Sequence, residues 1–256
     1  MPSDVNYRRA TRQKKARRKR LRTAFVLFII ITIITLIVMC FTVFFPIQRI
    51  KVSGSKIYSN SQIIKASKIT TDDNLFVVSE DKIKENIRKE LPYIDNVELK
   101  RVLPDAIVLT VTDAKESMYY YIDGKYVVLS ESGYILKKQD EMPQNVFEIV
   151  TSGISGNVSE LANYKNGAEQ ELIQTIEASV EKHNINIDKI DVSNILQISL
   201  EIEGKYTVVL GNTDYTQEKI AHLSSMIESI GDRSGKINLS MWTPQNSQGS
   251  FVEDKS

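Results

Sequence analysis

The chain has 256 residues, of which 25% are charged and 42% are apolar, which is typical of a folded protein and too apolar for a disordered one. The charge is unevenly distributed along it. Residues 1–22 carry ten Lys or Arg and one acid, a net charge of +9, whereas the remaining 23 basic and 31 acidic residues leave −8. The acidic balance beyond residue 22 argues against nucleic-acid binding by the bulk of the chain.

An uncharged segment follows the basic one, and Ala24–Phe45 within it is almost continuously apolar. A helix of that length spans roughly 33 Å, enough to cross the hydrocarbon core of a bilayer. A cleaved signal peptide would have a shorter apolar region that ends in a small-x-small site, which this segment lacks. We therefore predict a basic cytoplasmic tail over 1–23 and a transmembrane helix over 24–45. By the positive-inside rule, the residues beyond the helix lie outside the cytoplasm.

Cysteine usage agrees with a large exported region that needs no disulfides. Cys40 is the only cysteine, and it lies inside the predicted span. The remaining part, about 200 residues, is long enough to bury an adequate core without covalent cross-links.

The first exported region predicts the order β-α-α-β-β, which we assign to one small domain over residues 46–115. A short strand at Ile50–Val52 precedes a helix with the capping box Ser59-x-x-Gln62. Ser79 begins a second helix, and strands over about Val97–Leu103 and Ala106–Asp113 follow. The expected core consists of apolar residues on both helices and both strands: Ile63, Ile64, Ile83, Ile87, Val97, Leu99, Leu109 and Val111.

The second region, residues 116–242, predicts a β-rich domain with two helices. Asp123-Gly124, between Tyr119–Ile122 and Lys125–Leu129, is the strongest hairpin signal. The further predicted elements are a strand at Tyr134–Lys137, a helix at Asn166–Lys182, a hairpin of Ile195–Ile202 with Tyr206–Leu210, a helix at Thr216–Ile230 and a final strand at Lys236–Met241. The Gln/Asn/Ser-rich segment 243–256 predicts a disordered tail.

Residue patterns that carry chemistry are weak in this sequence. His183 and His222 are far apart, so a metal site would require scattered carboxylates besides. The S-x-x-K strings Ser53/Lys56 and Ser79/Lys82 lack the S-D-N and K-T-G elements of a serine acyl-enzyme, and Asp72-Asp73 precedes Asn74 in a turn. We predict no catalytic, cofactor-binding or metal-binding residues, and no cofactor.

One regularly spaced segment supports a family resemblance: Pro92-x-Ile94-x-x-Val97-x-Leu99-x-Arg101-x-x-Pro104-x-x-Ile107-x-Leu109-x-Val111-x-Asp113. It resembles the POTRA domain of the bacterial cell-division family FtsQ/DivIB, as do Ile50-x-Val52-x-Gly54 and Asn74-Leu75-Phe76. Val209-Leu210-Gly211 and Lys219-Ile220 resemble the end of that family's second domain. The implied fold class is α+β, with one N-terminal transmembrane helix, a POTRA domain and a β-rich mixed α/β domain. Asp113, Ser130 and Asn238 depart from the residues usual in the family.

The resemblance implies a non-enzymatic scaffold of the division machinery. Its implied partners are FtsL-like and FtsB/DivIC-like bitopic membrane proteins, which it would help couple to septal peptidoglycan synthesis. The implied location is the cell membrane at the division septum, with a single crossing. The alternative is a membrane-anchored cell-wall hydrolase or peptidase, which needs a nucleophile, base or metal constellation that the sequence does not display.

The predicted partner-binding site is the last strand and the tryptophan beside it. If Lys236–Met241 has no neighbour on one side, its unpaired backbone groups form a template for an incoming strand. Trp242, the chain's only tryptophan, would anchor a partner side chain. The alternative is that Trp242 closes the core and another strand covers this edge. The predicted residues are Lys236, Ile237, Asn238, Leu239, Ser240, Met241 and Trp242.

Overall fold

The computed structural model describes residues 23–39, 45–246 and 249–254. Residues 23–39 form helix α1. Two parts of the sequence-based predictions lie outside the described residues: residues 1–22 of the basic tail and residues 40–44 of the transmembrane span. Among the helices in the described ranges, none combines the length and the apolar character needed to cross a membrane.

The order β-α-α-β-β is confirmed over the first exported region. Its elements are β1 (Arg49–Ser53), α2 (Asn60–Ser67), α3 (Glu80–Glu90), β2 (Ile94–Val102) and β3 (Ala106–Asp113). The three strands form one sheet in the order β1-β3-β2. The capping box is also confirmed, since the Ser59 N–H donates to Gln62 Oε1 at 2.9 Å and the Gln62 N–H donates to Ser59 Oγ at 3.4 Å.

The predicted core of this region is largely confirmed. Six of its eight residues are buried: Ile63, Ile83, Ile87, Val97, Leu109 and Val111. Ile64 and Leu99 are only partly buried. These two side chains therefore contribute less to the core than the alternation of apolar residues predicted.

The remaining elements belong to the β-rich region. They are β4 (Glu116–Ile122), β5 (Lys125–Ser130), β6 (Ile135–Gln139), β7 (Phe147–Val150), β8 (Ile154–Ser155), β9 (Asn163–Tyr164), α4 (Gly167–Lys182), β10 (Ile187–Asp191), β11 (Ile198–Ile202), β12 (Tyr206–Gly211), α5 (Thr216–Ile230), β13 (Gly235–Asn238) and β14 (Ser250–Glu253). In the described part of the chain, nine strands form a sheet in the order β14-β13-β12-β11-β10-β7-β4-β5-β6, and β8 pairs with β9.

Local sequence signals explain the hairpins and helices of this sheet. Asp123 and Gly124 both have positive φ, 51° and 79°, as a tight two-residue hairpin turn requires. Helix α4 is capped by Asn166, whose side chain accepts from the Ala168 N–H. The Glu169 carboxylate is buried instead of capping this helix, and it accepts from the Ser152 N–H at 3.1 Å.

One hydrophobic core lies between this sheet and its two helices. The helical periodicity predicts inward-facing residues on both helices, and seven of them are buried in this core: Leu172, Ile173, Ile176 and Val180 from α4 and Ile220, Leu223 and Ile230 from α5. The eighth, Ile227, is only partly buried against the core. Strands β7 and β10, which the sequence did not predict, run parallel to each other with Ile190 opposite Ile149. The sheet is therefore mixed, with β7 also parallel to β4 and β13 parallel to β12.

Two compact units divide the chain, and both are discontinuous in sequence. One comprises Met1–Lys51, Lys68–Glu80 and Leu99–Leu109, and the other comprises Val52–Ser67, Asp81–Glu98 and Thr110–Ser256. Residues of the predicted 46–115 domain therefore occur in both units.

Candidate partner-binding surface at the end of the mixed sheet

The predicted partner-binding strand is not at the edge of the sheet. β13 pairs on one side with β12, in parallel, and on the other side with β14, in antiparallel. The expectation of a free β13 edge is therefore wrong. The expectation of a disordered tail over 243–256 is also wrong for residues 250–253, because Phe251 packs against the hydrophobic core and brings β14 alongside β13.

The predicted site residues divide into an exposed set and a buried set. Lys236, Asn238 and Met241 are exposed, Ser240 is partly buried, and Ile237, Leu239 and Trp242 are buried. Trp242 stacks on His222 with ring centroids 5.6 Å apart, so the prediction that it projects as a partner anchor is wrong. A large aromatic ring gains more by closing the core than by remaining in water.

Gly235 is the residue that lets β14 approach β13 closely. A Cβ atom at Gly235 would lie 2.2 Å from the carbonyl oxygen of Val252, a distance that no real Cβ atom tolerates. Gly249, just before β14, has a similar constraint, since its Cβ would lie 2.8 Å from Met226 Sδ. The absence of a side chain at Gly235 therefore permits the pairing that covers β13, and its absence at Gly249 leaves room for the side chains of Met226 and Leu239.

The register of this pair identifies the backbone groups at the free edge. Asp254 donates its N–H to the Ser234 carbonyl at 3.1 Å, and Val252 lies opposite Lys236. Hydrogen-bonded and non-hydrogen-bonded pairs alternate along an antiparallel ladder. The N–H and C=O groups of Val252 thus face β13, whereas those of Phe251 and Glu253 point away from the sheet.

The opposite edge of the sheet, strand β6, is partly covered. The Ile135 N–H donates to the Glu160 carbonyl at 2.9 Å, and the Ser159 N–H donates to the Ile135 carbonyl at 2.8 Å. Lys138 Nζ also donates to the Gly156 carbonyl at 3.0 Å. Of the two edges in the described part of the sheet, β14 is therefore the better template for an added strand.

A buried lysine lies at the end of β12, and its role was not predicted from the sequence. Lys219 is 1% exposed, and its Nζ donates to the Leu210 carbonyl at 2.8 Å and to the Asn212 carbonyl at 3.3 Å. Burial lowers the pKa of Lys219, and the nearby Asp214 opposes that shift. The signal that could have revealed this burial is that Lys219 lies four residues before Leu223, on the inward face of α5.

Gly211 also shapes this region, because it lets the chain after β13 pass close to the end of β12. Its φ is +79°, and a Cβ there would lie 2.8 Å from the Ser240 Cα. The motif Val209-Leu210-Gly211 with Lys219 therefore fixes the path of the residues between β13 and Trp242.

An acidic groove lies beside α4 and is lined by Glu131, Glu177 and Glu181 among others. Burial raises the pKa of Glu177, as do the charges of Glu131 and Glu181, while a hydrogen bond from the Ser117 hydroxyl opposes the rise. In the described hydrogen bonds, Ser117 has no histidine or lysine partner that would activate it as a nucleophile.

The other polar residues considered in the sequence analysis lie at the ends of helices or strands, or in a turn. His183 ends α4, and Asp73 accepts from the Thr70 N–H at 2.7 Å in a turn. Ser53 ends β1, and Ser79 immediately precedes α3. Within the described ranges, no group of three or more His, Cys, Asp or Glu side chains is placed to hold a metal ion.

These features define a class of protein in which a β-α-α-β-β domain precedes a large mixed sheet, whose terminal strand β14 has one unpaired edge among the residues that the structure describes. Residues 45–113 match the family described as "POTRA domain, FtsQ-type". The cell division protein DivIB of Clostridium tetani (strain Massachusetts / E88) is 27% identical over 212 residues, which cover 79% of each chain.

DivIB of Clostridium acetobutylicum is 29% identical over 207 residues, covering 77% of this chain and 80% of that protein. The cell division protein FtsQ of Streptomyces venezuelae is 25% identical over 215 residues, covering 82% and 76%. The chain therefore carries a POTRA domain of the FtsQ type and is similar, over about four-fifths of its length, to cell-division proteins named DivIB and FtsQ, which confirms the resemblance found in the sequence.

Proposed function

We propose that this protein is a non-enzymatic scaffold of the division machinery that binds FtsL-like and FtsB/DivIC-like bitopic proteins. It helps couple them to septal peptidoglycan synthesis at the division septum. Residues 24–45 anchor it in the cell membrane with the N-terminus in the cytoplasm. Similarity to cell-division proteins supports this role, and the hydrolase alternative is not favoured because, in the part of the chain that the structure describes, no constellation supplies a nucleophile with its base.

The free edge of β14 is the observation that carries the proposed binding mode. Phe251 and Glu253 present backbone donors and acceptors to solvent, and the Val252 side chain is 64% exposed on the face that Lys236 shares. An extended partner segment that adds beside β14 would satisfy these groups and cover Val252. The proposed surface therefore comprises β14 together with the exposed residues of the predicted site, Lys236, Asn238 and Met241.

Proline at residue 253 tests this binding mode without disrupting β14 itself. The Glu253 N–H points away from β13, so Glu253→Pro removes an outward donor while the pairing with β13 is retained. Glu253→Ala is the matched control, because it loses the same carboxylate, 3.9 Å from Arg233, but keeps the N–H. The measurement is co-purification of the FtsL-like and DivIC-like proteins with the full-length chain from membranes.

We expect Glu253→Pro to weaken partner retention at least about tenfold, because a lost hydrogen bond and the proline ring both oppose strand addition. Glu253→Ala should retain the partners at wild-type levels. Equal retention by wild type and Glu253→Pro would refute addition at β14. If deletion of residues 249–256 then increased retention, the partner would instead pair with β13 after displacing β14.

A further inference from the structure

Four exposed apolar side chains lie in one of the two compact units of the chain. Phe76, Val77, Val102 and Leu103 are 44%, 68%, 39% and 61% exposed, and we call them the apolar tip. Phe76 and Val77 belong to the segment before α3, whereas Val102 and Leu103 lie where β2 ends. Exposed apolar side chains that are gathered in one place mark an interaction site more often than scattered ones.

Arg101 draws the two halves of the apolar tip together. Its Nε donates to the Leu75 carbonyl and its Nη2 donates to the Val78 carbonyl, both at 2.9 Å. These two carbonyls flank Phe76 and Val77, and Arg101 immediately precedes Val102. One guanidinium therefore fixes the end of β2 against the segment that carries Phe76 and Val77.

The same segment is hydrogen-bonded to the first described residues after the predicted span. The Leu75 N–H donates to the Phe45 carbonyl at 2.9 Å, and the Ile47 N–H donates to the Asp73 carbonyl at 2.9 Å. The rings of Phe45 and Phe76 meet edge to face with centroids 5.1 Å apart. The apolar tip is thus held within side-chain reach of Phe45, the last residue of the proposed anchor.

Cationic side chains accompany the apolar tip. Lys100 and Arg101 directly precede Val102, and both are exposed. The acid that follows Leu103 in sequence, Asp105, is neutralised by Arg49, whose Nη2 lies 2.6 Å from its Oδ1, whereas Glu80 and Asp81 follow the Phe76–Val77 half of the tip. Apolar side chains with basic neighbours suit the boundary between acyl chains and anionic headgroups.

We infer that the apolar tip inserts into the outer leaflet of the membrane that carries the anchor. The partner of the tip is the lipid surface, because the anchor ends at Phe45 and the hydrogen bonds at residues 45–47 hold the tip next to that end. Membrane contact at a second site fixes the orientation of this unit relative to the bilayer. The inference rests on the anchor proposed above, and its test distinguishes the two.

The test uses single-cysteine variants of the full chain in vesicles of phosphatidylethanolamine and phosphatidylglycerol. Cys40, the only native cysteine, reports on the anchor when it carries a fluorescent label. In a Cys40→Ser background, Val77→Cys and Leu103→Cys report on the apolar tip. Val252→Cys and Leu196→Cys are matched controls, because the native side chains are 64% and 74% exposed. The measurement is quenching by lipids that carry a spin label in the acyl chain.

We expect labels at residues 77 and 103 to be quenched at least about threefold more than labels at 252 and 196, because only the tip contacts acyl chains. Val77→Asp should reduce the quenching at residue 103, and Leu196→Asp should leave it unchanged. If the label at residue 40 is quenched while labels at residues 77 and 103 are quenched no more than the controls, insertion of the tip is overturned and the anchor is retained. Absence of quenching at residue 40 would overturn both.

Discussion

Gly54 occupies the most constrained glycine position described in this protein. Its φ is +111°, and a Cβ atom there would lie 2.0 Å from the carbonyl oxygen of Val111 in β3. Gly54→Ala therefore introduces two separate penalties. One is a backbone conformation that side chains disfavour, and the other is a clash with main-chain atoms that cannot rotate away.

The expected destabilisation follows from these two penalties. The disfavoured backbone conformation costs about 1–3 kcal/mol, and relief of the clash by backbone movement costs about 1–3 kcal/mol more. The total of about 2–6 kcal/mol is a large part of the roughly 5–15 kcal/mol by which domains are stable. Gly124 supplies the matched control, since its φ is +79° and no atom lies within 4 Å of its would-be Cβ.

Hydrogen exchange of the full-length protein in lipid nanodiscs measures both variants. For Gly54→Ala we expect amides of β3 to exchange at least about 30-fold faster, because about 1.4 kcal/mol corresponds to a tenfold change. For Gly124→Ala we expect a smaller acceleration, about 5- to 27-fold, in the hairpin of β4 and β5, because only the conformational penalty of about 1–2 kcal/mol applies. Equal acceleration in the two variants would refute the argument from close approach at Val111.

Three further predictions concern topology, packing and pH. Protease added to intact spheroplasts should remove residues 49–256 and spare the basic tail, and a protected C-terminus would contradict the anchor orientation. Leu109→Ala, at a fully buried position, should destabilise its domain by about 2–5 kcal/mol, and unchanged exchange in β3 would contradict this. Burial alone would raise the pKa of Glu116, but contacts from Lys137 and Tyr93, both at 2.6 Å, lower it. A lowered pKa means that ionised Glu116 stabilises the fold above its unfolded pKa of about 4.3, and that this stability is lost as the pH falls through the folded pKa. Lys137→Met should therefore reduce stability at neutral pH, with a deficit in denaturation midpoint that shrinks in acid, and a pH-independent deficit would exclude this linkage.

The sequence alone determined the elements that depend on short-range interactions. The Asp123-Gly124 turn, the Ser59 capping box and helix α5 with its stop at Gly231 are each specified by residues a few positions apart. The β-α-α-β-β order also followed from the spacing of apolar residues, and the motif residues showed the resemblance to an FtsQ-type POTRA domain. Backbone preferences, caps and periodicity act within one or two helical turns, so they can be interpreted without knowledge of the fold.

Only the tertiary structure decided what lies beside each strand and which polar or aromatic groups are buried. β7 and β10 have no connecting turn that predicts their parallel pairing, and β14 joins the sheet because Gly235 and Phe251 allow a close approach. The burial of Lys219 and Trp242 likewise depends on segments distant in sequence. The candidate surface is therefore β14 and not β13 as the sequence predicted. An edge is free only when no other segment of the chain pairs with it, and that is a property of the whole sheet.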